Sequence, residues 1–115
     1  MGETIFSKII RKEIPAKVVY ETEHVLAFRD INPQAPVHVL IIPKSDIADA
    51  TEIIGSRHAE LLGELFDAAN EVAKLEGLEK KGFRLVINSG TDSGQEVPHL
   101  HIHLLGGRKM NWPPG

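Results

Sequence analysis

The stretch His99-Leu100-His101-Ile102-His103-Leu104-Leu105, followed by Gly106-Gly107, decides how this chain is read. A strand turns its side chains to opposite faces at every step, so this pattern predicts one face of imidazoles and one face of Leu100, Ile102 and Leu104. One face packs and the other is free for chemistry. Imidazoles two residues apart on a strand lie about 7 Å from each other, and if both were charged they would repel by about 2.4 kcal/mol at an effective dielectric of 20. Near neutrality the expected state mixes neutral and charged rings, one able to attack or ligate and its neighbours able to donate protons. Crowded beside Gly94 and followed by two glycines, the three rings suggest a phosphate or metal site.

Outward from this segment the remaining elements follow from periodicity. Thr4 is suited to cap a short helix whose Ile5, Phe6, Ile9 and Ile10 form an apolar stripe that ends before Pro15. Val18 to Thr22 and His24 to Phe28 read as a hairpin turning near Glu23. The turn-rich Asp30 to Pro36, with two prolines that cannot join a ladder, leads into a central strand from Val37 to Pro43. Ser56 is placed to cap a longer helix with Leu62, Leu65, Phe66, Ala69 and Ala73 at helical spacing and Gly77 at its end. Phe83 to Asn88 is a further strand, and the turn Ser89 to Gly94 joins it to the histidine strand. This order predicts an α+β fold, an antiparallel sheet of about five strands with both helices on one face.

Composition narrows the setting. The 115 residues suit one domain, 1–115, with a single core, and the 42% apolar content is that of an ordinary globular chain. No apolar run approaches the roughly 20 residues of a spanning helix, and no leader pattern is visible, so the expected location is cytoplasmic, away from membranes. With no cysteine, a metal would have to be held by histidine and carboxylate. Sixteen acidic against thirteen basic side chains, a net charge of -3, is a poor balance for polymeric nucleic acid, though a single nucleotide needs only a few local donors.

Bare spacing leaves phosphate and metal chemistry evenly weighed. A neutral imidazole can attack phosphorus while neighbouring donors hold the phosphoryl oxygens, and Gly90-Thr91-Asp92-Ser93-Gly94-Gln95 offers a turn through which backbone amides approach an anion. Equally, two histidines one residue apart on a strand are a zinc-binding spacing. His24 and His58, one at a turn and one on the polar side of a helix, receive no role.

A resemblance separates the two. The alternating histidines match the histidine triad (HIT) signature, and Leu105-Gly106-Gly107-Arg108-Lys109-Met110-Asn111-Trp112-Pro113-Pro114-Gly115 resembles the C-terminus of the histidine triad nucleotide-binding branch. Thr4 to Lys17 and Asp30 to His38 are similar to the same branch, so the likeness covers nearly the whole chain. It implies a homodimeric HIT fold that binds purine nucleoside monophosphates and hydrolyses phosphoramidates and acyl-adenylates without a metal or other cofactor. By this resemblance His101 is the nucleophile that carries a transient nucleotidyl group, His103 contacts phosphate, His99 orients His101 through its carbonyl, and His38 completes the catalytic network. Asp30 would accept from ribose hydroxyls, and Phe6, Ile9, Ile14, Phe28 and Ile31 would wall the purine. Asn88, Gly94, Gln95, Glu96 and Val97 would surround the phosphate with His103, and Trp112 would reach across the dimer.

Two residues depart from other members of the branch. Glu96 stands where some have a serine that assists the leaving group, and Pro98 replaces an aromatic residue and removes a backbone N–H. Two other readings stay open on the residues alone: a non-catalytic nucleotide-binding dimer acting as sensor or scaffold, and a histidine-ligated metallohydrolase recruiting Asp30, Asp46 or Glu96.

Overall fold

The computed structural model describes residues 3–115. Helix α1 (Ile5–Ile10) starts at Thr4, whose hydroxyl accepts from the Ser7 N–H at 3.1 Å while the Ser7 hydroxyl accepts from the Thr4 N–H, a reciprocal capping box. Strands β1 (Val18–Glu21) and β2 (Val25–Arg29) form the expected hairpin, closed by the Thr22 hydroxyl accepting from the Val25 N–H. Strand β3 (Val37–Pro43) is followed by helix α2 (Gly55–Leu75), then β4 (Phe83–Ile87) and β5 (Ile102–Gly106). The sheet is antiparallel throughout in the order β1-β2-β3-β5-β4.

The centre of the sheet is covered on both sides, which explains why β2 and β3 read as nearly continuous apolar runs. Val25, Ala27, Val39, Ile41, Leu100, Ile102 and Leu104 face α2, where Leu65, Ala68, Ala69, Val72 and Ala73 meet them. Leu26, Phe28, Leu40 and Ile42 face the other way and pack with Phe6 and Ile9 of α1. The two helices therefore lie on opposite faces, not on one as the element order suggested. Six residues of α1 are too few to cover their face, and the uncovered part becomes a cavity.

Three local expectations change. Ser56 lies inside the first turn of α2; Ile54 is the capping position, and the His58 ring accepts from its N–H at 2.9 Å. Phe66 is half exposed, because the buried stripe of α2 is centred on Leu65, Ala69 and Val72, about one position round from it. The histidine strand begins only at Ile102, since His99 to His101 lie outside the ladder, although the in-and-out alternation holds through all three.

Gly106 and Gly107, which follow the histidine segment, serve packing. A Cβ on Gly106 would meet Leu78 Cδ1 at 2.5 Å, and one on Gly107, whose φ is +91°, would meet Pro36 Cβ at 2.9 Å. Gly107→Ala combines a left-handed backbone with a clash against a rigid ring, so it should lower stability by about 1–3 kcal/mol, measured by reversible denaturant unfolding.

Candidate active site

The cavity between α1, the turn Asp30 to Gln34 and the loop before β5 has a volume of about 610 Å³, within the range of small-ligand sites. It brings together Phe6, Ile9, Ile14, Phe28, Asp30, Ile31, His38, Asn88, Gly94, Gln95, Glu96, Val97, His101 and His103. His99 and Trp112 are not among its walls. The His99 ring is buried beyond the cavity, and Trp112 is 81% exposed, with the Arg84 guanidinium 5.9 Å from its ring centre. Asp46 borders a separate, smaller cavity of about 240 Å³ with His99.

Hydrogen-bond directions settle which nitrogen of each ring carries a proton. The Gln34 N–H donates to His38 Nδ1 at 3.0 Å, so the neutral His38 ring holds its proton on Nε2. That Nε2–H donates to His103 Nδ1 at 2.9 Å, which places the proton of His103 on its own Nε2. His101 Nδ1–H donates to the carbonyl of His99 at 2.7 Å, leaving a lone pair on Nε2. His101 Nε2 has no partner among the described residues and is open to the cavity, unlike His99 Nδ1, which is buried and unpartnered. The rings of His101 and His103 are 5.0 Å apart, so an electron-pair donor and an N–H donor share one end of the cavity.

Burial also decides the charges. Desolvation is the main reason that His38 is held below its usual value and that His103 is pushed down to about 4, with the neighbouring His101 and His38 adding to the effect on His103. The Asp30 carboxylate, 3.5 Å from His38 Nε2, opposes the shift without reversing it. The sequence suggested imidazoliums beside a neutral ring; at neutral pH His38 and His103 are both neutral, and the donor toward the cavity is an uncharged N–H.

The apolar half of the cavity comes from Phe6, Ile9 and Phe28, each under 9% exposed, with Ile14 partly buried. Phe6 stands edge-on to His101 with ring centres 5.2 Å apart and to Phe28 at 5.5 Å, so one side chain buttresses both the nitrogen site and the apolar wall. Ile31, at 96% exposure, forms only the rim. In the loop before β5, Gly90 and Gly94 take positive φ, a turn conformation that residues with a side chain rarely adopt. The Gln95 side chain is fully engaged there: its oxygen accepts from the Gly90 N–H, and its nitrogen donates to the carbonyls of Ala48 and Val97. It braces the loop, together with the Gln95 N–H, which donates to the Gly90 carbonyl at 3.4 Å. Gln34 was not singled out in the sequence, because its contribution to the site is a main-chain N–H and leaves no trace in residue type.

Comparison with known proteins gives a consistent result. A family model described as HIT domain matches residues 11–110. A maize protein named 14 kDa zinc-binding protein is 62% identical, over 97% of this chain and 88% of its own. The Arabidopsis thaliana protein named adenylylsulfatase HINT1 is 57% identical, over 97% of this chain and 76% of its own. Among solved structures, a HIT family hydrolase from Legionella pneumophila superposes with a TM-score of 0.94 at 51% identity, covering 98% of this chain and all of that one. A histidine triad nucleotide-binding protein from Candida albicans superposes at 0.83 with 32% identity, covering 96% and 83%.

The depressed basicity of His38 and His103 has a thermodynamic consequence. Unfolded, both rings take up protons as pH falls through about 6.5, whereas folded His103 stays neutral down to about 4. The unfolded state binds more protons across that window, so stability falls as pH drops through it. Replacing His103 by Asn should flatten the pH dependence of unfolding between pH 6.5 and 4 by up to one proton, about 1.4 kcal/mol per pH unit, as read from urea unfolding at several pH values.

Proposed function

This chain belongs to the HIT domain family, and we propose that residues 1–115 act as one HIT domain that hydrolyses purine nucleoside phosphoramidates or acyl-adenylates through a nucleotidyl intermediate on His101. The observation that carries this reading is the pinned ring of His101. Its Nδ1–H is fixed on the His99 carbonyl, so its Nε2 lone pair is aimed into the cavity with no loss of orientation on binding. In the first step that lone pair forms a bond to the α-phosphorus as the phosphorus–nitrogen bond of the substrate breaks. The departing nitrogen keeps the bonding pair and takes a proton from solvent. In the second step water attacks the same phosphorus, its proton passes to solvent, and His101 is released with nucleoside monophosphate.

The remaining residues take parts that their positions support. His103 Nε2–H donates to a phosphoryl oxygen as charge gathers there, oriented by His38 on its far side. The Gly94 and Gln95 N–H groups are committed to the carbonyls of Thr91 and Gly90, so the N–H groups of Glu96 and Val97, with the Asn88 side chain, offer the other donors at the phosphate end. Asp30 receives ribose hydroxyls, and Phe6, Ile9, Ile14 and Phe28 enclose the base with Ile31 at the rim. The names of two relatives, an adenylylsulfatase and a nucleotide-binding protein, agree with a nucleotide ligand.

The zinc-binding name of the maize relative raises the metal reading, and Asp30, His38 and His103 offer donor atoms within 4.8 Å of one another. The set does not fit zinc. His38 Nδ1 accepts from the Gln34 N–H, so the neutral ring carries its proton on Nε2 and has no lone pair there for a metal, whereas a ligating histidine donates from its other nitrogen. No step is routed through a metal.

A homodimer is part of the same proposal. Strand β4 is an edge of the sheet with Phe83 and Ile87 exposed, α2 exposes Phe66, and the tail presents Trp112 away from its own cavity. Sedimentation should give twice the chain mass of 12.7 kDa, and Ile87→Lys should shift the population toward monomer. For the chemistry, His101→Ala should still bind AMP but lose turnover of an adenosine phosphoramidate by on the order of 10³-fold or more. Mass spectrometry of quenched wild-type enzyme should find the nucleotidyl adduct on His101; single-turnover chemistry retained by the alanine variant would refute the assigned nucleophile.

A further inference from the structure

The charges lining the cavity are unevenly committed. Arg29 is the sole lysine or arginine among its walls, and its guanidinium is held by both oxygens of Glu76 at 3.0 and 2.8 Å. Asp30 is engaged as well, with Oδ1 accepting from the Asn32 N–H and Oδ2 beside His38. Glu96 is different: it lines the cavity with an exposed side chain that has no hydrogen-bond or ion-pair partner among the described residues. Its backbone is nonetheless held in place. The Gln95 amide ties the preceding residue to Ala48 and Val97, and the Val97 carbonyl also accepts from the His99 N–H at 2.8 Å. A free carboxylate is thus mounted on a braced loop that leads directly into His99 and His101, and it lines the same cavity as His101 and His103.

That arrangement treats the two sides of a scissile bond differently. With His38 and His103 neutral and Arg29 committed, the site offers a phosphoryl group dipolar N–H donors and no free cation. One anionic phosphoryl group is accommodated by such donors, whereas a further anion beside Glu96 meets an uncompensated negative charge. A cation there gains an unpaired counter-charge, the only one that the described residues of the cavity wall offer.

Resting on the hydrolase reading above, we propose that Glu96 determines leaving-group specificity: the site favours nucleoside phosphoramidates whose departing amine carries a second, cationic group and disfavours those whose amine carries a carboxylate. The bonds broken and formed are those already described. Glu96 forms and breaks no bond and acts by its field on the departing half.

The test uses three AMP phosphoramidates, made with 1,3-diaminopropane, propylamine and β-alanine, which present a cationic, a neutral and an anionic tail. Specificity constants kcat/KM are measured for each with the wild-type protein, Glu96→Gln and Glu96→Lys. The readout is the ratio between tails within one protein preparation, so a loss of active enzyme cancels, and intrinsic differences between the amines cancel between proteins. From wild type to Glu96→Gln the cationic-to-anionic ratio should fall by roughly fivefold to tenfold, and Glu96→Lys should lower it further. The wild-type ratio should also shrink as salt is raised, while that of Glu96→Gln should not. An unchanged ratio in both variants, with turnover intact, overturns the assignment of Glu96 alone. Failure of the wild-type protein to turn over any of the three overturns the hydrolase reading itself and the inference with it.

Discussion

The hydrogen bond from His38 Nε2 to His103 Nδ1 joins residues 65 positions apart, and the site depends on it. It exists because β3 and β5 pair with Leu40 opposite His103 and His38 opposite Leu105, which makes the two histidines diagonal neighbours on one face of the sheet. A slip of one residue would turn one ring into the core against α2. Register is guarded by that core: Val39, Ile41, Ile102 and Leu104, all at most 2% exposed, interlock on the opposite face. The packing that stabilises the sheet is therefore the same packing that aligns the rings.

Much of this was legible in the residues themselves. Alternation along His99 to Leu104 gave the two faces, the capping residue Thr4 gave α1, and the apolar run from Val37 to Pro43 gave a central strand. Less legible was the distribution of helices between the faces, because Phe6 and Ile9 are an apolar stripe whichever face they cover. The alternation also made three histidines look equivalent, and they are not. His101 and His103 reach the cavity, whereas the His99 ring is 2% exposed and donates from Nε2 to the Pro43 carbonyl. What separates them is how far α1 extends over the sheet, a tertiary fact that spacing along one strand does not encode. Gln34 and the bracing side chain of Gln95 were hidden for a similar reason, since their importance lies in where a neighbouring main chain happens to run.

His99 shows how a site can depend on a residue whose ring never enters it. Its carbonyl fixes His101 at 2.7 Å while its ring anchors the same residue to the end of β3. Its Nδ1 is buried with no partner among the described residues. An aliphatic side chain would fill the same buried space but would give up the hydrogen bond to Pro43, and with it the anchor that holds the His99 carbonyl under His101.

The same reasoning extends to the far end of β5, where fold and site meet a second time. Gly107 has no side chain because Pro36 packs where one would be, and Arg108, next along the chain, donates from Nε and from a terminal nitrogen to the Gln34 carbonyl. The N–H of Gln34 in turn donates to His38 Nδ1, which is what forces the proton of His38 onto Nε2 and so toward His103. Each link fixes the next: a glycine that lets the turn close against β5, an arginine that holds the turn's main chain, an amide that selects one tautomer, and a ring that passes the selection to its neighbour. The neutral N–H that His103 presents to the cavity is the end of a series of contacts that begins in residues with no chemistry of their own.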